Sequence, residues 1–186
     1  MSTSERLIES TRQLLWERGY VGTSPKAIQQ LADAGQGSMY HHFSGKADLA
    51  LAAIRRDVEQ QRELAEEVLS APGTALERIS GYLLRERDVL RGCPVGRLAQ
   101  DPDIIASPVL REPLEETFHW LRNRIAQVLT EGRQRGEFTR EPDPAATAAV
   151  IVSVVQGGYV LARSADSTEP FDQAVTGALA LLAAHC

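Results

Sequence analysis

The chain reads as an all-α protein: an N-terminal three-helix helix-turn-helix unit followed by a C-terminal helical bundle, about nine helices in all. Three observations predict this. Apolar residues recur at steps of three and four along most of the chain. No stretch alternates apolar and polar residues as a half-buried strand does. Gly, Pro, Ser and Asp punctuate the periodic stretches at helix-length intervals.

The elements follow in order. Leu7, Ile8, Thr11, Leu14 and Leu15 share one helical face, and Gly19 ends that helix. Ser24-Pro25 reads as an N-cap with proline at the first helical position, and Ile28, Leu31 and Ala32 give a short second helix its apolar face. Asp33-Ala34-Gly35 is a turn, and a third short helix runs from about Gly37 to Phe43. Lys46 opens a fourth helix that reaches about Leu69, where Ala71-Pro72-Gly73 stops it. Thr74 caps a fifth helix carrying Leu76, Ile79, Leu83 and Leu90, which Gly92-Cys93-Pro94-Val95-Gly96 breaks. Asp101-Pro102 and Ser107-Pro108 bracket a short helix. Leu114, Phe118, Leu121, Ile125 and Val128 then mark a long bundle helix from about Val109 to Gly132, and Arg140–Pro144 is a turn.

The next helix, about Pro144–Ala162, holds no charge between Asp143 and Arg163. Its 19 residues are long enough to cross a membrane, but Ala, Gly, Ser, Thr and Gln156 dilute the apolarity. A helix apolar nearly all round is otherwise buried on both sides. With a last helix over about Phe171–Ala184, it is expected to form an isologous four-helix interface between two copies of the chain.

Length and composition agree with this reading. A chain of 186 residues, 43% hydrophobic and 24% charged, can build a core without disulfides or metal. Two cysteines, Cys93 and Cys186, make no disulfide framework and no CxxC pair. Met1–Arg6 leads straight into an amphipathic pattern without the apolar stretch of a signal peptide, so a cytoplasmic protein is expected. Residues 1–56 hold seven Lys/Arg against five Asp/Glu (+2), while residues 57–186 hold thirteen against twenty (−7). A mildly basic head on an acidic body points to an anionic partner at the N-terminal end.

The third helix carries the functional signal. Met39 and Phe43, four apart, face inward, which turns Ser38, Tyr40, His41 and His42 outward. Exposed hydroxyl and imidazole groups pack poorly but can bond phosphates and base edges. Gln36, Gly37 and Ser38 open the helix, the end expected in the major groove. Gln36 can make paired bonds to adenine, and Gly37 lets the backbone come close. Thr23, Ser24 and Lys26 at the start of the second helix, and Lys46 at the start of the fourth, are placed to meet phosphates.

Gly37-Ser38-Met39-Tyr40-His41-His42-Phe43 with Lys46 and Leu49, preceded by Gly19, Tyr20, Thr23, Ser24 and Ile28, resembles the TetR-type regulators. The resemblance covers residues 5–56 closely and the remainder as architecture. It implies a recognition helix over the Gly37 run, with Tyr40 and His41 touching phosphate or base. It also implies residues 1–48 as DNA-binding domain and 49–186 as ligand-binding and dimerisation domain. Asp33-Ala34-Gly35 departs from the usual Gly-Val-Ser turn: Asp33 must adopt a left-handed conformation, and Gly35 removes a capping hydroxyl. Gly92–Gly96 with Leu98-Ala99-Gln100 is similar to a segment of an LmrA-like branch linked to drug and flavonoid response.

The expected function is a dimeric repressor on a palindromic DNA operator, released by a small-molecule inducer. Cys93, Gln100, Trp120, Asn123, Gln156 and Tyr159, polar or aromatic groups on otherwise apolar helices, are the candidate ligand-lining residues. No cofactor or metal is expected, since His41-His42 are adjacent and do not share a helix face. No nucleophile–base spacing suggests an enzyme. The alternative is a helical protein–protein adaptor without operator binding.

Overall fold

The structure, a computed structural model, describes residues 1–139 and 143–186. Among the described residues are ten α-helices and no strand. They are α1 (Thr3–Arg18), α2 (Pro25–Leu31), α3 (Gln36–His42), α4 (Lys46–Leu69) and α5 (Ala75–Leu84), then α6 (Pro94–Leu98), α7 (Pro102–Ala106), α8 (Pro108–Gln134), α9 (Pro144–Ala165) and α10 (Glu169–Ala183). Residues 140–142 of the expected Arg140–Pro144 turn lie outside the described residues.

Helix ends follow local chemistry. Ser2 and Glu5 close a capping box on α1, and Thr74 and Glu77 close another on α5. Ser24 caps α2 ahead of Pro25, as its sequence predicts. Two ends differ from expectation. α5 stops at Leu84, so Leu90 lies beyond it, because Arg87 donates to the Tyr82 and Leu83 carbonyls at 2.5 and 2.9 Å. Those carbonyls have no partner inside a finished helix, and a guanidinium can satisfy them. The Gly92–Gly96 segment, expected to be only a break, contains the start of α6, with Pro94 as its first residue. That adds the tenth helix.

The helices divide into two compact units. The first comprises Met1–Gln60 and Pro94–Glu116, the second Gln61–Cys93 and Thr117–Cys186. In the first unit Leu7, Leu14, Ile28, Ala32, Met39, Phe43 and Leu49 form one buried cluster. α1 is tied to α4 by Arg12, which donates to the buried Asp57 at 2.7 Å and also bonds Gln60 and Glu9.

In the second unit the core runs through Leu69, Ile79, Leu83, Ile125, Val128, Leu129, Ile151, Val155, Phe171 and Val175. Arg78 joins the Leu69 carbonyl to Glu131, at 2.7 and 2.6 Å, and Arg124 grips Glu66 at 2.9 and 3.0 Å. These arginine hydrogen bonds hold both carboxyls below the usual range.

By length and composition α9 is apolar enough to cross a membrane. Its Ala148, Ile151, Val152, Val155, Tyr159 and Ala162 are buried in the second unit's core. Its other face is exposed at Val150, Val160 and Leu161, as is Leu181 of α10. Between α9 and α10 lies an open groove of about 610 Å³, lined by residues such as Val150, Val154, Leu161, Ala178 and Leu181.

α9 and α10 approach closely at Gly158, where a methyl group would stand 2.8 Å from the Phe171 ring. That ring is buried and packed on Tyr159 at 4.9 Å between centroids, so it has little room to retreat. Gly158→Ala is expected to destabilise the protein by about 1–3 kcal/mol. Thermal unfolding followed by circular dichroism checks this, and a melting midpoint equal to the parent's would refute the close contact.

Candidate nucleic-acid interface

α3 is a short helix with two faces. Met39 is fully buried and Phe43 nearly so, while Gln36, Tyr40, His41 and His42 are exposed and Ser38 is half-buried. Among the described residues, the side chains of Gln36, Ser38 and Tyr40 make no hydrogen bond. Half of the Tyr40 surface is open to solvent. A methyl group on Gly37 would meet nothing within 4 Å, so the backbone there faces open space. His41 and His42 meet edge-on at 5.0 Å, and His42 reaches the Phe43 ring edge at 6.4 Å.

The turn before α3 is held from outside. Asp33 takes φ 46°, the left-handed conformation its position requires, and Gly35 caps α3 with no side-chain hydrogen bond. Arg6 of α1 donates to the carbonyls of Ala32 and Asp33, at 3.0 and 3.4 Å. Gln29 of α2 donates to the Met39 sulfur at 3.4 Å. These contacts fix α3 against α1 and α2 without using its outer face.

The flanking residues are placed less uniformly. Ser24 is exposed, with its hydroxyl accepting from the Ala27 N–H at 3.1 Å, and Lys26 is exposed beside it. Thr23 is buried and its hydroxyl donates to the Gly19 carbonyl at 2.7 Å, so its side chain is not presented outward. The Lys46 ammonium sits 3.9 Å from the centre of the Tyr20 ring. Desolvation there pulls the Lys46 amine below its ordinary range and pushes the Tyr20 phenol up.

One clasp was not legible from sequence spacing. The Asp101 carboxylate caps α7 through the N–H groups of Asp103 and Ile104, at 3.1 and 3.3 Å. Its other oxygen accepts the Tyr20 N–H at 2.7 Å. Arg97 of α6 donates to the Glu17 carbonyl at 2.7 Å. The loop between α1 and α2 is thereby fastened to α6 and α7 within the first unit. The Asp-Pro pair signals the helix cap, but nothing in the sequence signals an acceptor for a backbone 81 residues away.

The six candidate ligand-lining residues are distributed over both units. Cys93, Trp120, Gln156 and Tyr159 belong to the second unit, where each is buried or half-buried. Asn123 is on an exposed face of α8, paired with His119 at 2.8 Å. Gln100 is exposed in the first unit.

A short exposed polar helix, presented by a three-helix core after a four-residue turn, defines the helix-turn-helix class of DNA-binding proteins. The family profile described as "Bacterial regulatory proteins, tetR family" matches residues 7–53, and "Tetracyclin repressor-like, C-terminal domain" matches residues 75–178. An uncharacterized HTH-type transcriptional regulator from Lactococcus lactis subsp. lactis is 30% identical over 87% of this chain and 84% of its own. The HTH-type transcriptional repressor DhaR of Mycobacterium sp. (strain GP1) is 24% identical over 92% of this chain and 88% of its own. A solved structure of the TetR family transcriptional regulator CifR with 26-bp double-strand operator DNA superposes with a TM-score of 0.78. It is 22% identical and covers 93% of each chain. The chain belongs to the TetR family. The finer placement in an LmrA-like branch finds no support in these matches.

Asp101→Ala removes the α7 cap and leaves the Tyr20 N–H without its acceptor. The expected cost is about 1–3 kcal/mol. Denaturant unfolding measures it, and a variant as stable as the parent would show that the clasp contributes nothing.

Proposed function

We propose that this chain is a ligand-responsive transcriptional repressor that binds a palindromic operator as a homodimer and is released by a small-molecule inducer. The observation that carries this reading is the outer face of α3, where Gln36 and Tyr40 are exposed, Ser38 is half-buried, and none of the three side chains bonds a described residue. Such groups are costly to order unless a partner receives them, and duplex DNA offers both phosphates and base edges. Gln36 reads bases, Tyr40 and His41 meet phosphate or base, and Ser24 and Lys26 grip the backbone on the α2 flank. Thr23 acts on that flank by shaping the start of α2. Lys46 reaches a phosphate by leaving the Tyr20 ring.

The working division is a DNA-binding domain over residues 1–48 and a ligand-binding and dimerisation domain over 49–186. The aliphatic residues exposed on α9 and α10 support the dimer: Val150, Leu161 and Leu181 line a largely apolar groove, and Val160 is exposed on the same helix as the first two. A second copy of the same pair of helices would bury that strip by two-fold symmetry. Inducer binding in the body would favour a dimer whose two heads no longer match the operator spacing, a shift between two populated states. The protein acts in the cytoplasm, where its DNA is.

The test is a gel-shift titration against the DNA flanking the gene. The parent should bind selectively, with affinity falling steeply as salt rises. Tyr40→Ala should abolish the shifted band while sedimentation still shows a dimer. Selective binding by the variant, or loss of its dimer, would mean that Tyr40 has been misplaced. Leu181→Glu puts a charge in the middle of the expected interface and should yield monomers by sedimentation. A dimer of unchanged strength would remove α9 and α10 from the interface.

A further inference from the structure

The second unit contains two arginines that no described carboxylate neutralises. After α5 the chain leaves helical geometry at Arg85, with ψ 149°. Exposure then alternates: Glu86 and Asp88 face solvent, and Arg85 and Arg87 turn partly inside. Arg87 is locked by its bonds to the carbonyls of Tyr82, Leu83 and Arg85. Arg85 is held by Gln61 at 3.0 Å. These contacts leave over Nε and Nη1 of Arg85 and Nε of Arg87, which are buried and have no hydrogen-bond partner among the described residues. Neither arginine forms an ion pair with a described carboxylate.

The surroundings are aromatic. The Arg85 and Arg87 guanidiniums stand 5.4 and 5.3 Å from the Tyr82 ring centre, and Arg87 is 5.8 Å from that of Phe171. Tyr159 packs on Phe171. Burial pushes the Tyr82 and Tyr159 phenols up and the Arg87 guanidinium down from their ordinary ranges. Cys93 lies close enough to act on both phenols. Aromatic faces attract a cation only partially, and backbone carbonyls carry no net charge. A buried cation is ordinarily matched by an anion, and a pair of them side by side more so. A water molecule can satisfy an N–H but leaves the charge unmatched.

We propose that this cluster is a binding site for a small carboxylate, whose anionic end is received by Arg85 and Arg87, with the buried rings of Tyr82, Tyr159 and Phe171 as the apolar packing behind the two cations. The arginine fork selects the carboxylate, because a neutral amide or alcohol of the same shape leaves the two cations as they were. This assigns a chemical class to the inducer and so rests on the ligand-responsive reading above. Two of the residues singled out by sequence, Cys93 and Tyr159, belong to the cluster.

Calorimetry and thermal shift on the full chain test the site with two matched pairs, benzoate against benzamide and 2-naphthoate against 2-naphthamide. At least one carboxylate should bind ten-fold or more tightly than its amide and raise the melting midpoint. Arg85→Met should erase that preference, and Arg85→Gln provides a second variant should the first fail to fold. Equal binding of acid and amide, no binding of any probe at millimolar concentration, or a preference that survives in a folded Arg85 variant would overturn the proposal. A gel shift with the binding acid separates the two readings. Binding that needs Arg85 but leaves operator affinity unchanged supports the site and removes the inducer role.

Discussion

A helix of seven residues cannot sustain itself in water, because the cost of its first turn is never recovered over so short a run. α3 exists only because Met39 and Phe43 are buried on one side of it, among Leu7, Leu14, Ile28 and Leu49. That burial also fixes its rotation. With a 3.6-residue repeat, placing Met39 and Phe43 inward leaves Tyr40 and His41 facing out. The proposed recognition surface and the stabilising contacts thus lie on opposite faces of one element, and any change that loosens the inner face blurs the outer one.

The rest of the first unit holds that element steady. Arg6 supplies donors to the turn carbonyls of Ala32 and Asp33 ahead of α3 and so ties that turn to α1. Arg12 and Asp57 tie α1 to α4, while Asp101 and Arg97 tie the end of α1 to α6 and α7. Each of these is a charged side chain matched to a backbone group or an opposite charge, so the polar interior is largely reconciled. Arg85 and Arg87 in the second unit stand apart from this pattern, since they meet carbonyls, an amide and ring faces but no described carboxylate.

Much of this architecture can be read from the sequence, for identifiable reasons. Ser24-Pro25, the Met39/Phe43 spacing and the charge-free stretch after Asp143 are local signals, and the helices they predict are present. The left-handed Asp33 was legible through the family resemblance, which has a glycine at that position. The sequence misleads where a side chain overrides the local pattern. Helical spacing carries α5 on to Leu90, but Arg87 folds back to cap it at Leu84. Pro94 reads as a breaker and instead starts α6. Thr23 looks like a surface hydroxyl, yet it points inward to Gly19. Contacts such as Asp101 with Tyr20 join residues far apart in the chain and leave no periodic trace.

The aliphatic strip on α9 and α10 has a practical consequence for anyone handling this protein. A lone chain keeps Val150, Val160, Leu161 and Leu181 in water, so its folded state gains stability from whatever covers them. When the cover is another copy, the melting temperature rises with protein concentration, as does apparent potency on DNA. Dilution series and cell-level dosage then report self-association as much as recognition. A weak titration at nanomolar protein can reflect scarcity of partners and say nothing about the reading helix.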